Sequence, residues 1–170
     1  FSMASIIFSG SARRPDFFPG RRFRHALVSA AQRGVRVVLL LQGLVEYVLP
    51  HYASRALFGS LLEAGIRIEE YRHSFLHAKV AVFDGCRASV GSSNIDPFSL
   101  LLAREANVFV DDAAFAAELR ASLEDAIRKG ARTLPPQAWR RRPLWRRAWN
   151  WIAYGIGRLL IGFASYERYH

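Results

Sequence analysis

The sequence predicts an α/β domain built on a mostly parallel or mixed sheet. Apolar runs of strand character alternate with segments of helical spacing over the first 130 residues, the pattern of strands joined by helical crossovers. The length, 170 residues, suits one domain, which would bury roughly 70% of its unfolded surface. Hydrophobic residues at 51% and charged residues at 22% exclude wholesale disorder. The single cysteine, Cys86, excludes an internal disulfide framework and a cysteine-rich zinc module, and it favours a reducing compartment.

Taken in order, ASIIF (4–8) reads as a short strand and SARRPDFFPG after it as a loop. Phe23, Ala26, Leu27, Ala30 and Ala31 repeat at helical spacing across 21–33, with Gly34 as the C′ stop. VRVVLLLQ (35–42) is a continuous β-branched and apolar run, as expected of a strand covered on both faces. Ala53, Ala56, Leu57, Leu61 and Leu62 predict a helix over 52–64 closing on Gly65, and IRIEEY (66–71) alternates like a half-buried strand. HAKVAVFD (77–84), a tight Gly85 turn and RASVGSSN (87–94) predict an antiparallel hairpin. A short helix is expected after Asp96-Pro97, then a strand at NVFV (107–110). Asp112 caps a helix over 113–129 whose apolar face is Phe115, Leu119, Leu123, Ala126 and Ile127, with Gly130 as stop. No internal repeat is visible.

Leu134-Pro135-Pro136 reads as a linker, dividing a domain at 1–133 from a tail at 134–170. The tail holds all four tryptophans, and residues 132–170 carry net charge +7, against +3 for residues 1–131. Trp145, Trp149, Ile152, Ile156, Leu159, Leu160 and Phe163 fall at spacings of three and four, with Arg146, Arg147, Asn150 and Arg158 largely elsewhere on the wheel. This predicts an amphipathic helix lying in a lipid interface; the alternative is a terminal helix docked on the body or a partner. No uncharged apolar stretch reaches 18 residues, and no basic segment precedes a long apolar run, so neither a membrane-spanning helix nor a signal peptide is predicted.

One pattern carries chemistry: His77-x-Lys79-x4-Asp84-x6-Gly91-Ser92-x-Asn94, with Glu105 eleven residues later. Side chains two apart on a strand share a face, so His77 pairs with Lys79, and Ser92 with Asn94 on the returning strand. Burying four such groups for stability alone would cost about 1–3 kcal/mol for each left unsatisfied. They suit phosphoryl transfer. An imidazole can attack phosphorus or protonate a leaving oxygen. An ammonium, a hydroxyl and an amide donate to non-bridging oxygens, and a carboxylate can orient the imidazole. Side chains supply the cationic charge, so no metal or cofactor is required. Any one of these residues alone is ordinary; six at fixed spacing arise by chance in about one chain in a million. No glycine-rich phosphate loop is present. Arg55 and Tyr52, with Arg72 and His73, are weaker phosphate-pocket candidates, for which surface solvation or helix capping is the expected explanation.

HAKVAVFDGCRASVGSSN resembles the HKD motif of the phospholipase D superfamily. The flanking GIRIEEYRHSFLHAKVAVFDGCRASVGSSNIDPFSLLLAREANVFV and HYASRALFGSLLEAG resemble the C-terminal half of bacterial cardiolipin synthases, the B type above all, as does the Trp-rich tail. The resemblance implies a phospholipase D-like mixed sheet flanked by helices, one HKD half, followed by the amphipathic helix. It places the motif histidine, lysine and aspartate at His77, Lys79 and Asp84, and the following Ser and Asn at Ser92 and Asn94. It makes Glu105 the acid that partners the histidine and leaves Asp84 a structural or orienting part. In such enzymes two motifs face each other: one histidine becomes a phosphohistidine, the other protonates the leaving alcohol and activates the acceptor. Matching the second motif, His77 is expected to be the acid/base.

His25, His51, His73 and His170 have no lysine two residues on, so this chain holds one motif. The second HKD half is then expected from an upstream segment or a homodimer mate. The start at Phe1 and the poor fit of SMASIIFSGSARR to the family's first strand add the expectation of a truncated or unusual beginning. The resemblance implies transfer of a phosphatidyl group between two phosphatidylglycerols, giving cardiolipin and glycerol, at the cytoplasmic face of a cell membrane bound peripherally through anionic phospholipid. Two rivals stand beside it: a homodimeric single-motif phosphodiesterase on nucleic acid, whose polyanion would suit the basic charge, and an inactive remnant that only associates with membrane or a partner.

Overall fold

The computed structural model describes residues 5–10, 21–44, 48–92, 106–141, 143, 145, 148–156 and 159. The loop expected at 11–20 and the short helix expected after Pro97 lie outside them.

Three strands, β1 (Ser5–Gly10), β2 (Arg36–Gln42) and β3 (Arg67–Tyr71), pair in parallel, Ile6 opposite Val37 and Leu39 opposite Ile68. Helix α1 (Arg21–Gln32) crosses from β1 to β2, while α2 (Val48–Arg55) and α3 (Phe58–Glu63) cross from β2 to β3. The hairpin of β4 (Val80–Phe83) and β5 (Arg87–Gly91) joins antiparallel to β1, β6 (Asn107–Asp111) to β5, and β7 (Ala131–Thr133) to β3. The result is one mixed seven-stranded sheet of order β6-β5-β4-β1-β2-β3-β7.

Each face of the sheet carries its own helical layer. Leu39, Leu41 and Ile68 point to α1–α3, meeting Leu27, Leu57, Phe58 and Leu61. Val38, Leu40, Val80, Val82 and Ala88 point the other way, onto α4 (Ala113–Gly130). Burial of both parities of β2 explains its continuous apolar run, since a central strand has no solvent face. Asp112 accepts the Phe115 N–H at 2.7 Å, the expected cap. Gly34 and Gly65, at φ +90° and +86°, end the first crossover helix and α3 in the left-handed region.

Four sequence expectations are corrected. The helix over 52–64 is two, beginning at Val48 and broken at Ala56-Leu57, because the chain turns to follow the sheet. IRIEEY does not alternate in burial: Ile68, Glu69 and Glu70 are all buried, since β7 covers an edge that sequence left open. Phe115 is exposed; of its expected face Leu123 is buried and Leu119, Ala126 and Ile127 are partly buried, and Ala116 joins them. Gly130 ends the helix as expected but as its last residue, and space requires the glycine, because a Cβ there would meet Tyr71 and His73.

The presumed linker is also part of the body. Beyond β7, Leu134 packs on the α1–α3 core and α5 (Pro136–Arg140) buries Trp139 against it. A further helix through 148–156 docks by a narrow side, Ala153 packing near Ala53 and Tyr154 on the core. Its Trp149, Ile152 and Ile156, with Trp145 and Leu159, remain exposed. Leu160 and Phe163 of the same apolar set lie outside the described residues. No helix among the described residues is long and apolar enough to cross a membrane.

Candidate functional site

The register of the hairpin places the motif. Ser9 of β1 pairs with Val80, so the residues just before β4 emerge at the carboxyl edge of the three parallel strands, where open α/β sheets commonly bind ligands. Leu76 N donates to Gln42 Oε1 at 3.4 Å, tying this segment to the end of β2. Gln42 Nε2, buried beside it, has no partner among the described residues. Lys79 lies one residue and His77 three residues before the ladder of β4, yet their side chains meet as expected. Lys79 Nζ is 3.2 Å from His77 Nε2, with the imidazole exposed and the lysine half-buried. An ammonium can only donate, so in this contact Nε2 is the acceptor, and the ring carries its proton on Nδ1 when neutral. That form can take a proton or attack phosphorus.

The returning strand runs beside this segment. Gly91 N donates to Lys79 O at 3.0 Å, which sets Gly91 across from the lysine. Ser92 is held by the start of β6: its N–H donates to Ala106 O at 3.0 Å, and its Oγ accepts from Ala106 N at 3.1 Å. Glycine is required before it, because a Cβ at Gly91 would overlap the Asn107 carboxamide and the Ala106 carbonyl. Asn94 and Glu105 lie outside the described residues.

Asp84 stands elsewhere. Ile6 pairs with Phe83, so Asp84 lies at the amino end of β1, five strand residues or about 16 Å from Lys79. Asp84 and Gly85 have φ +52° and +71°, and Cys86 N donates to Phe83 O. Two successive positive φ values make a type I′ hairpin turn, where a short polar residue or glycine is favoured. Its place is the hairpin turn.

Sequence reasoning set Arg55 and Arg72 aside as solvated or capping residues, and missed their partner. Arg55 is 8% exposed and Glu70 1%. Glu70 receives Arg55 Nη2 on one carboxylate oxygen and Arg72 Nη2, at 2.6 Å, on the other. Arg55 Nε donates to His51 Nε2 at 2.8 Å. Burial lowers the Arg55 pKa from its ordinary value, Glu70 opposing that shift and Arg72 adding to it. Lys79 and Glu70 share the α1–α3 face but sit three strands apart, about 14 Å. The signal in the sequence was a pair of adjacent carboxylates, Glu69 and Glu70, inside a predicted strand. Tyr52 and His73 are exposed. No three His, Cys, Asp or Glu side chains converge as metal ligands among the described residues.

The family described as cardiolipin synthase, PLD-like domain, matches residues 14–127. Cardiolipin synthase B of Escherichia coli K12 is 47% identical over 111 residues, 65% of this chain and 27% of the relative. Cardiolipin synthase A of Salmonella arizonae is 38% identical over 146 residues, 86% of this chain and 30% of the relative. The chain thus spans about a quarter to a third of the length of these relatives. Among solved structures, the phospholipase D family member Nuc from Salmonella typhimurium superposes with a TM-score of 0.63 at 20% identity, over 78% of this chain and 83% of that one.

Proposed function

The chain belongs to the cardiolipin synthase PLD-like domain family, and on that premise we propose that it forms one catalytic half of a phospholipase D-type phosphatidyltransferase that makes cardiolipin. The observation that carries this reading is the contact of His77 Nε2 with Lys79 Nζ at 3.2 Å, exposed at the carboxyl edge of the sheet. Lys79 is the charge for a non-bridging oxygen, Ser92 and Asn94 are further donors, and Glu105 orients the imidazole.

In the first step a histidine nitrogen bonds to phosphorus of one phosphatidylglycerol. The phosphorus–oxygen bond to the headgroup breaks, and glycerol leaves with a proton from the opposing imidazole. In the second step that imidazole takes the hydroxyl proton of another phosphatidylglycerol, whose oxygen displaces the histidine to give cardiolipin. With an upstream half, the nucleophile belongs to that half and His77 is the acid/base; in a homodimer, one His77 takes each part. The match to Nuc over 83% of its chain shows that a unit of this size occurs as a whole chain elsewhere, which supports the homodimer as the second arrangement.

The site works at a membrane surface, held peripherally at its cytoplasmic face. Trp145, Trp149, Ile152, Ile156 and Leu159 are exposed on the C-terminal segment, and large aromatic residues favour the lipid interface.

The test is incubation of the purified chain with phosphatidylglycerol vesicles, with lipid products resolved. Cardiolipin formation lost in His77→Ala supports the proposal. DNA cleavage lost in His77→Ala, without cardiolipin, replaces it with a nuclease. Neither activity, from the chain alone or joined to a second HKD half, with vesicle binding intact, replaces it with a membrane-associated remnant.

A further inference from the structure

A cavity of about 790 Å³ opens between α1, α3 and the C-terminal helix. His77 and Lys79 do not line it. Four of its lining residues are basic, Arg22, Arg24 and His25 from the first turns of α1 and Arg55 from α2, against one carboxylate, Glu63. Trp139 and Trp151 supply aromatic walls. The deciding residue is Asn150. It is 5% exposed, and its carboxamide can donate and accept in a space that a polar ligand would fill. Glu70 holds Arg55 at the floor, so that one guanidinium is placed in advance of any ligand.

We propose that this cavity is a second headgroup site, one that holds the phosphodiester of an anionic phospholipid that does not react. The excess of cations selects an anion, and Asn150 can serve its ester or hydroxyl oxygens. The helix that contributes Asn150 and Trp151 also exposes Trp149, Ile152 and Ile156, so acyl chains would leave the cavity along an apolar surface. The lipid identity of the ligand rests on the membrane-surface reading given above; the site itself does not.

The test uses short-chain phosphatidylglycerol below its micellar concentration, titrated into the whole chain and followed by the fluorescence of the tryptophans that line the cavity. Saturable binding is expected, and it should remain in His77→Ala. In the Arg22→Gln/Arg24→Gln double variant, whose side chains sit on the outer part of α1, binding should weaken by about tenfold or more. Asn150→Leu should weaken it as well. The proposal is overturned if His77→Ala abolishes binding, or if the double variant binds like the parent. It is equally overturned if inorganic phosphate binds as tightly as the lipid, or if short-chain phosphatidylcholine does. Flotation of the Trp149→Ser/Ile152→Ser variant with phosphatidylglycerol vesicles separates the two readings. Undiminished flotation defeats the membrane-surface reading, while the titration, which contains no bilayer, still decides the cavity.

Discussion

The indole of Trp139 lies against the ring of Phe58, with centroids 5.5 Å apart and planes tilted by 44°. This contact fastens the segment beyond Pro135-Pro136 to α3, and it divides the tryptophans into one that holds the fold and others that face outward. Trp139→Ala is expected to destabilise the chain by about 3–5 kcal/mol in urea denaturation. Trp149→Ala, at an exposed position, should change stability by less than about 0.5 kcal/mol but reduce sedimentation with phosphatidylglycerol vesicles. Equal stability of the two variants would contradict the assignment of Trp139 to the core.

His77 and Lys79 should separate by kinetics. His77→Ala is expected to lower phosphatidyl transfer by at least about 10²–10⁴-fold, with the circular dichroism spectrum unchanged because the ring is exposed. Lys79→Met removes a donor to the phosphoryl oxygens and should lower turnover by about 10²–10³-fold. A Lys79→Met variant that keeps full turnover would remove the lysine from the proposed chemistry.

Glu70 lies between two guanidinium groups, one of them buried. Glu70→Ala leaves Arg55 charged and uncompensated in the interior and is expected to cost about 3–5 kcal/mol. Replacing both partners, Arg55→Met with Glu70→Leu, should recover most of that loss, since an apolar pair of similar volume needs no counter-charge. Thermal unfolding of the two variants decides it: a double variant no more stable than Glu70→Ala would mean that the network does more than satisfy its own charges.

Asp84 tests whether its place in the turn is its whole role. Asp84→Gly keeps the positive φ accessible and should leave both stability, to within about 1 kcal/mol, and phosphatidyl transfer near the parent's. Asp84→Val puts a β-branched residue where φ is +52° and should lower the unfolding midpoint. Loss of transfer in a stable Asp84→Gly variant would give the carboxylate a chemical part.

Gly91 separates fold from chemistry at the motif itself. Gly91→Ala must push β6 away from Ser92, because a Cβ would overlap the Asn107 and Ala106 groups. Crowding of this kind costs about 1–3 kcal/mol, and transfer should fall with it as Ser92 moves. Hydrogen exchange should rise at Ser92 and Ala106, whose backbone contact is broken first; unchanged exchange there would show that the crowding is absorbed elsewhere.

Much of this molecule was legible from local pattern. Helix stops at Gly34 and Gly65, the Asp112 cap, the doubly covered β2 and the hairpin all follow from residue type and spacing, because each depends on interactions within a few residues. The pairing of His77 with Lys79 was legible for the same reason: a period of two fixes which side chains share a face.

What sequence misread depended on distant chain. Residues 131–133 were expected in no element, but the edge of β3 was open and their backbone donors and acceptors complete it. Once that edge is covered, Glu69 and Glu70 are interior, Thr133 bonds the first, and Arg55 and Arg72 are drawn in to neutralise the second. Trp139 read as interfacial by composition and became core because Phe58 and Gly59 leave it room. The motif's chemistry was thus written in adjacent residues. The buried ion pair, the docked tail and the cavity they enclose were decided by packing, since burial and charge compensation are properties of neighbours in space, which spacing along a chain does not specify.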